Sequence, residues 1–246
     1  MPRTTTHKSP RLYWQAGLAA DTSIELDRTQ AHYLLDVMRK KVGDQVRLFN
    51  GADGEWLASI SDAGRKRCQL AVAEQLRPQE EEIGPTLLFA PIKKARMEML
   101  VEKATELGVG RLMPVRTRRS IVDRINAARL RTIAIEAAEQ CERLTMPEIC
   151  ELQTLEWALS NWPMDHPFYA ADETGSGRPL LQALELERPA AFLVGPEGGF
   201  DPAELGWLSE HQAVIKVDLG PRILRAETAG LVMLANWSAI RPVNSR

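Results

Sequence analysis

The most constraining feature of this 246-residue sequence is an alternation of short apolar runs and helical patterns from Thr86 to Ile240. Runs such as Thr86–Ile92 and Ala190–Val194 have the length and composition of buried strands. Between the runs, Arg96–Leu107 and Arg129–Gln140 carry apolar residues at helical spacing. Strands that alternate with helices predict a mainly parallel sheet with helices on both faces, which is an α/β fold.

Two glycine loops follow two of the predicted strands within the stretch Leu193–Ala229. The first loop, Gly195–Gly199, reads G-P-E-G-G, and the second contains Gly220 after the strand Val214–Val217. Glycine lets the backbone approach a ligand closely, and ligands of open α/β sheets bind beyond the carboxyl ends of strands. We therefore expect the loops to form two walls of one cofactor site, although G-P-E-G-G alone also suits a plain turn.

Several other classes of site are not supported by the sequence. The first loop matches neither the phosphate-binding G-x-x-x-x-G-K-[ST] pattern nor the dinucleotide pattern G-x-G-x-x-G. Protease, hydrolase and kinase signatures are missing from the sequence. The four histidines are scattered without ligand spacing, so no metal site is predicted.

Residues 1–77 read as a separate, small β-rich unit. Three strand-like segments, Gln45–Asn50, Glu55–Ser61 and Arg67–Leu76, follow a helical pattern at Asp27–Met38. Basic residues beside aromatic ones suit contacts with RNA phosphates and bases. Alternatively, most of the aromatic side chains fill the core of a small barrel. The charged segment 78–85 has a proline at each end and reads as a linker. The second domain is then 86–246.

Composition suits a protein of a reducing cytoplasm, and the charged residues are unevenly distributed along the chain. Its start lacks an apolar signal region, its three cysteines form no C-x-x-C pair, and no apolar run has the length of a membrane span. We therefore expect a cytoplasmic protein. Lys93–Arg143 holds 12 basic and 7 acidic residues, whereas Glu148–Asp218 holds 3 and 13. The basic region suits phosphate contacts, although charge alone favours solvated helix faces.

The second glycine loop continues into L-G-P-R-I-L-R-A-E-T-A at positions 219–229. This segment places Arg222, Arg225, Glu227 and Thr228 close to the expected cofactor wall. A helix cap and hinge would need only Glu227 or Thr228. The two guanidinium groups indicate more than a cap, because they suit a phosphate or a developing anion.

The two loops, G-P-E-G-G-F at 195–200 and the segment 219–229, resemble the hallmark loops of the ribosomal RNA small subunit methyltransferase E family. Further matches are K-A-R-M-E-M-L-V-E-K-A-T-E-L-G-V at 94–109, R-R-S at 118–120 and I-A-I-E-A-A-E-Q at 133–140. The resemblance extends along nearly the whole chain. One departure is Glu142, which stands between Cys141 and Arg143 where the family pattern has glycine.

The resemblance implies a SPOUT-type parallel sheet with a C-terminal trefoil knot, which is an exception to the rule against threaded chains. It also implies a small N-terminal PUA-like β-barrel that helps to bind RNA, and a homodimer whose site is completed across the interface. The implied reaction is S-adenosylmethionine-dependent methylation of N3 of one uridine in 16S ribosomal RNA. The partner that the protein binds would be this RNA or the small ribosomal subunit.

The resemblance and the loops together nominate three sets of site residues. The cofactor-binding candidates are Val194, Gly195, Glu197, Gly198, Gly199, Leu219, Gly220, Ile223, Leu224, Thr228 and Ala229. The catalytic candidates are Arg143, Arg222, Arg225 and Glu227. The RNA-binding candidates are Arg3, Arg11, Arg39, Lys40, Lys94, Arg96, Arg118 and Arg119.

The chemistry assigns roles to these groups without ranking them. The arginines would stabilise the uridine anion that develops when N3 loses its proton, or would anchor a phosphate. Either Glu197 or Glu227 would accept the proton or orient the base, or would only pair with an arginine. Two alternatives to this function remain open. They are a non-catalytic RNA-binding or ribosome-assembly factor, and a SPOUT enzyme that methylates a ribose 2′-oxygen.

Overall fold

The structure is a computed structural model that describes residues 9–64, 67–120, 122, 124–185 and 189–240. The chain divides into two compact units. The first unit comprises Met1–Glu81 with Ala138–Met146, and the second comprises Glu82–Ala137 with Pro147–Arg246. The division at Glu81 falls inside the predicted linker 78–85. In contrast, the segment Ala138–Met146 lies in the first unit, whereas the sequence placed it in the second domain.

A five-stranded mixed sheet forms the first unit, in the order β1-β3-β4-β5-β2. The β1–β3 pair is parallel and the other neighbours are antiparallel. The strands are β1 (Arg11–Tyr13), β2 (Ser23–Glu25), β3 (Gln45–Phe49), β4 (Glu55–Gly64) and β5 (Arg67–Arg77). The β-rich character is confirmed. The sequence missed β2, because this strand has three residues and buries only Ile24.

One helical segment accompanies this sheet. Helix α1 (Arg28–His32) begins at Asp27, whose Oδ1 accepts from the backbone N–H groups of Thr29 and Gln30, both at 2.8 Å. It continues as a π-helical turn at Tyr33–Val37. The predicted helix is therefore present, but its second half widens.

A buried cluster of charge links three strands of the first unit. The Glu55 carboxylate is on a residue that is 2% exposed. Its Oε1 accepts from Arg11 Nε at 2.5 Å, and its Oε2 accepts from Arg77 Nε at 3.0 Å. Burial lowers the pKa of Arg11, while the hydrogen bond that Arg11 donates to Glu55 opposes that shift. A buried ion that lost these partners would remain desolvated and uncompensated, so the cluster fixes the packing of β1, β4 and β5.

The same arginines explain why Ala138–Met146 belongs to the first unit. Arg11 donates from Nη1 to the carbonyl of Ala138 and from Nη2 to that of Arg143, both at 2.6 Å. Arg77 donates from Nη2 to the carbonyl of Glu142 at 2.9 Å. These bonds join residues more than sixty positions apart in sequence. For this reason the sequence pattern did not reveal them.

An eight-stranded parallel sheet forms the second unit, as predicted. Seven strands follow the order β11-β13-β10-β12-β6-β7-β8, and β9 also pairs with β7. The strands are β6 (Thr86–Phe89), β7 (Arg111–Arg116), β8 (Glu148–Ile149), β9 (Gln153–Thr154), β10 (Phe168–Ala171), β11 (Arg178–Pro179), β12 (Ala191–Val194) and β13 (Val214–Asp218). Every described pair is parallel. The sequence missed the two-residue strands β9 and β11, which are too short to show a period.

Six helices accompany this sheet in the part of the chain that the structure describes. They are α2 (Lys94–Glu106), α3 (Ala127–Cys141), α4 (Leu155–Ser160), α5 (Leu180–Ala183), α6 (Pro202–Glu210) and α7 (Ala226–Ile240). A capping box begins α6: Asp201 Oδ1 accepts from Ala203 N–H, and Glu204 Oε2 accepts from Asp201 N–H.

Helix α7 packs on two strands of the sheet and on one other helix. It contacts α2, β6 and β12. A Cβ added at Gly230 would lie 3.4–3.5 Å from methyl carbons of Leu87 and Leu100, so this glycine lets the helix approach closely. The trefoil knot implied by the resemblance stays a prediction.

We expect a glycine at position 142 to give a more stable protein than an alanine there, which is the reverse of their usual order. Glu142 has φ +63°, a left-handed conformation that costs a non-glycine residue about 1–2 kcal/mol. Its carboxylate offsets this cost by accepting from Arg47 Nη2 at 2.8 Å. Glu142→Ala keeps the strain and loses the ion pair, whereas Glu142→Gly removes the strain. In urea unfolding, the glycine variant should therefore exceed the alanine variant by about 1 kcal/mol.

The exposed helical position Gln140 supplies the matched control. There, Gln140→Ala should be more stable than Gln140→Gly, because glycine weakens a helix interior. If the alanine variant were more stable than the glycine variant at both positions, the assignment of backbone strain to Glu142 would be contradicted.

Candidate functional site

Three neighbouring strands end at one edge of the second unit's sheet and open into a cavity there. Strand β10 pairs in parallel with β12 on one side and with β13 on the other. Their last residues Ala171, Val194 and Asp218 all line a cavity of about 360 Å³. Cavities of roughly 300–1,000 Å³ accommodate small molecules and cofactors. The site thus lies beyond the carboxyl ends of the strands, as expected for an open α/β sheet.

The first glycine loop forms one wall, and its backbone requires glycine at two positions. A Cβ at Gly195 would lie 2.9 Å from the ring of Phe200, which packs directly on the backbone. Gly199 has φ +68°, and a Cβ there would lie 2.5 Å from Glu173 Oε1. Gly198 differs, since the nearest atoms to its Cβ position belong to Arg119 at 3.9 Å. The tight positions are therefore Gly195 and Gly199.

The second glycine loop forms another wall. Gly220 has φ +111° and donates its N–H to Asp218 Oδ1 at 3.0 Å, which turns the chain sharply after β13. Beyond the turn, Leu219, Ile223 and Leu224 line the cavity. Ile223 is 87% exposed, which leaves an apolar side chain available to a ligand. The prediction of two glycine walls on one cavity therefore agrees with the geometry.

A third wall was missed by the sequence reasoning. It is the loop Asp172–Gly175, which follows β10 and lines the cavity. Asp172 accepts from Thr174 N–H at 2.9 Å and from the Ser176 hydroxyl at 2.7 Å, so the loop is held by its own side chains. Burial raises the pKa of Asp172, but these hydrogen bonds outweigh it and the net pKa is lowered. Its carboxylate is therefore ionised at neutral pH.

The missed loop had one usable signal in the sequence. The segment Pro167–Ala171 reads as a short strand in the sequence, and any loop that leaves the carboxyl end of a parallel strand is a candidate wall. Which strands are neighbours is decided by the sheet order, and the order of β10, β12 and β13 was unknown from sequence.

Most predicted cofactor residues come together at this cavity. Those that line it are Val194, Gly195, Gly199, Leu219, Gly220, Ile223, Leu224 and Ala229. Glu197, Gly198 and Thr228 are outside the described lining, and all three are exposed residues. The lining also includes residues that were not predicted, among them Phe200, Leu205 and Pro221.

Two predicted acidic groups meet at one arginine. Arg96 Nη1 contacts the Glu197 carboxylate, and Arg96 Nε lies 3.6 Å from Glu227 Oε1. Glu227 is 4% exposed, and its Oε2 is a buried acceptor without a hydrogen-bond partner among the described residues. A buried acceptor of this kind costs free energy until a donor reaches it. Arg96, expected to bind RNA, is thus engaged by the carboxylates of the first glycine loop and α7.

The predicted catalytic arginines separate into two places. Arg222 lines the cavity, and Arg225 lies in the same loop just before α7, where its carbonyl accepts from Ala229 N–H at 2.8 Å. Both side chains are exposed. Arg143 lies in the first unit, is buried, and donates from Nε to Thr145 Oγ1 at 3.0 Å. The structure therefore gives Arg143 a packing role in that unit.

The predicted RNA-binding residues of the second unit differ in how they are held. Lys94 is exposed at the start of α2. Arg118 donates to Asp201 Oδ1 at 3.1 Å, and its guanidinium carbon lies 5.2 Å from the ring centre of Trp207. Arg119 donates to the Gly198 carbonyl at 3.0 Å. Arg118 and Arg119 therefore brace the first glycine loop and α6, while their side chains remain accessible.

The RNA-binding candidates of the first unit also differ. Arg39 is exposed, and Lys40 is partly exposed. Arg11 is 6% exposed, and each of its three guanidinium nitrogens donates to a protein acceptor. The expectation that Arg11 contacts RNA is at odds with this burial, because its donors hold the unit together. Arg3 lies outside the described residues.

The described ranges also bear on two other features, metal sites and membrane-spanning helices. In residues 9–64, 67–120, 122, 124–185 and 189–240, no group of histidine, cysteine or acidic side chains has the arrangement of a metal site. In the same part of the chain, every helix is too short or too polar to cross a membrane.

Comparisons with known proteins agree with the two units. A family model described as an RNA methyltransferase domain matches residues 79–238, and one described as an RNA methyltransferase PUA domain matches residues 26–73. The ribosomal RNA small subunit methyltransferase E of Rickettsia conorii is 36% identical over 93% of this chain and 94% of its own length. The protein of the same name from a Synechocystis strain is 31% identical over 89% of this chain and 74% of its length.

Solved structures show the same architecture over nearly the whole chain. A ribosomal RNA small subunit methyltransferase E from Neisseria gonorrhoeae, bound to S-adenosyl methionine, aligns with a TM-score of 0.84 and 27% identity, covering 94% of this chain and 98% of that one. A methyltransferase from Legionella pneumophila, in complex with the cofactor SAM, aligns with a TM-score of 0.83 and 28% identity, again covering 94% of this chain and 98% of that one. The chain therefore belongs to the RNA methyltransferase family whose curated members are named ribosomal RNA small subunit methyltransferase E.

Proposed function

We propose that this protein transfers the methyl group of S-adenosylmethionine to N3 of a specific uridine in 16S ribosomal RNA. The observation that carries the proposal is the cavity at which three strands end, walled by two glycine loops and the loop Asp172–Gly175. Relatives with the same two units are named for methylation of small-subunit RNA, and two aligned structures hold the cofactor.

The cavity suits the proposed cofactor in size and in the chemistry of its walls. Gly195 and Gly199 line the cavity, and a Cβ at either position would collide with Phe200 or Glu173. Backbone N–H and C=O groups at such positions recognise the adenine and ribose by hydrogen bonds. Ile223 and Leu224 offer apolar contact for the adenine ring.

The reaction needs positioning and management of one proton. When bound, the cofactor supplies an electrophilic methyl group on a sulfonium, and transfer is an in-line displacement. The uracil N3 carries a weakly acidic proton that must leave before or during attack. We assign acceptance of this proton to Glu227, because its buried Oε2 is an acceptor without a partner among the described residues. Arg96 holds the other oxygen of this carboxylate.

We assign charge stabilisation to Arg222 and Arg225. Arg222 lines the cavity, and both exposed guanidinium groups lie in the second glycine loop. A cation near the base stabilises the developing uridine anion, and a neighbouring cation anchors a phosphate of the RNA. The proposed catalytic set is thus Arg222, Arg225 and Glu227.

The RNA partner and the cellular setting complete the proposal. The RNA backbone is contacted by the exposed Arg39 and the partly exposed Lys40 in the PUA-type unit, and by the exposed Lys94, Arg118 and Arg119 in the methyltransferase unit. We propose that the protein works in the cytoplasm as a homodimer.

The direct test is methyl transfer from labelled S-adenosylmethionine to RNA from a strain that lacks the gene, with free 16S RNA and assembled small subunits as separate substrates. Label recovered as N3-methyluridine supports the proposal. Label in a 2′-O-methylated nucleoside would identify the ribose methyltransferase instead. Salt-sensitive RNA binding without cofactor binding or label would identify a non-catalytic RNA-binding factor.

Gly199 should be the more sensitive of two adjacent glycines. We expect Gly199→Ala to weaken S-adenosylmethionine binding by about tenfold or more, because alanine resists a φ of +68° and its Cβ displaces Glu173. Gly198→Ala is the matched control and should change the affinity by less than about threefold, since its Cβ meets only ordinary contacts at 3.9 Å. Isothermal titration calorimetry measures both. Equal losses would show that the loop backbone is not the determinant.

Glu227 should affect transfer and not cofactor binding. We expect Glu227→Gln to lower the single-turnover rate by about 100-fold or more, the usual worth of a positioned base, with cofactor affinity nearly unchanged. Glu210→Gln, at an exposed site on α6, is the control. An unchanged single-turnover rate in Glu227→Gln would exclude Glu227 as the acceptor.

A further inference from the structure

The charged residues of the cofactor cavity are mostly acidic. The described lining contains three carboxylates, on Asp172, Glu173 and Asp218, and one guanidinium, on Arg222. Their formal charge is −2. The surroundings of a cavity favour ligands of opposite charge, because the low-dielectric walls focus the field. This cavity therefore favours a cation.

Two of the three carboxylates are used to hold loops. Asp172 accepts from the hydroxyl groups of Thr174 and Ser176, at 2.8 and 2.7 Å. Asp218 accepts from Gly220 N–H at 3.0 Å. Each of these carboxylates therefore shapes one wall of the cavity.

Glu173 reaches from the third wall to the first glycine loop. Its Oε1 would lie 2.5 Å from a Cβ at Gly199, so the carboxylate rests against the bare backbone of that glycine. Both residues line the cavity. The carboxylate is exposed and belongs to a loop that Asp172 holds in place. Glu173 is thus the acidic group that is best placed to meet a ligand.

The charge of the cofactor changes during the proposed reaction. The bond between the methyl carbon and sulfur breaks, and its electron pair stays on sulfur, while a bond forms between that carbon and uracil N3. The sulfonium of S-adenosylmethionine becomes the neutral thioether of S-adenosylhomocysteine. The two molecules share their adenosine, amino and carboxylate groups. A negative cavity therefore attracts the donor by one more unit of charge than the product.

We propose that Glu173 makes this cavity select the cationic methyl donor over its neutral product. The inference rests on the proposed function and adds a specificity residue to it. Loss of the sulfonium charge removes the attraction to Glu173 at the moment when the product must leave. Because the carboxylate is exposed and screened by solvent, its share of the selectivity is about threefold to fivefold.

The test compares the affinities of donor and product for three proteins. Calorimetry gives the dissociation constants of S-adenosylmethionine and S-adenosylhomocysteine for the wild type, for Glu173→Gln and for the exposed control Glu210→Gln. We expect Glu173→Gln to weaken donor binding about threefold to fivefold and to leave product binding within about 1.5-fold. The control should match the wild type. Thermal unfolding of each variant verifies that the fold is retained.

Salt provides a second and independent readout. The wild-type preference for the donor should shrink as ionic strength rises, and the preference of Glu173→Gln should respond less. Equal weakening of both ligands, or weakening of neither, would overturn the assignment to the sulfonium charge. Failure of both ligands to bind the wild type would instead overturn the proposed function, and the inference with it.

Discussion

The candidate site depends on the parallel pairing of β10 between β12 and β13. Since parallel strands share a direction, their carboxyl ends lie at one edge, and the loops that follow them must meet there. Those loops are far apart in the sequence, at Asp172–Gly175, Gly195–Gly199 and Leu219–Leu224. If β10 lay elsewhere in the sheet, the two glycine loops would remain intact but the acidic wall would be absent.

Charge is used differently in the two units. In the first unit, Glu55 lies buried between Arg11 and Arg77, and the remaining donors of these arginines hold the carbonyl groups of a distant segment. The groups of Glu55 and Arg11 are satisfied within this cluster, whereas the adjacent Arg47, whose Nη1 lies 3.6 Å from Glu55 Oε1, has a buried Nε without a hydrogen-bond partner among the described residues. In the second unit, Arg96 joins two carboxylates but leaves Glu227 Oε2 without a partner among the described residues. An acceptor left buried in this way is a reason to look for a substrate donor, whereas a saturated cluster is a reason to assign a structural role.

Sequence patterns predicted the type of most elements and missed those that had too few residues. The long helices were predicted from apolar residues at helical spacing, and strands of the parallel sheet were predicted from short apolar runs. Strands β9 and β11, with two residues each, show no period. The left-handed backbone at Glu142 was anticipated only as a departure from the family's glycine. Its φ of +63° and its pairing with Arg47 explain how glutamate occupies that position.

The sequence alone determined the fold class, the family and nine of the twenty residues that line the candidate cavity, because glycine loops and apolar periods are local features. Only the tertiary structure decided which basic residues are accessible and which carboxylates face the cavity. Arg11 and Arg39 are equivalent in a sequence, yet one is buried by three acceptors and the other is exposed. The reason is physical: burial and pairing depend on neighbours more than a hundred residues away, as with Arg11 and Arg143.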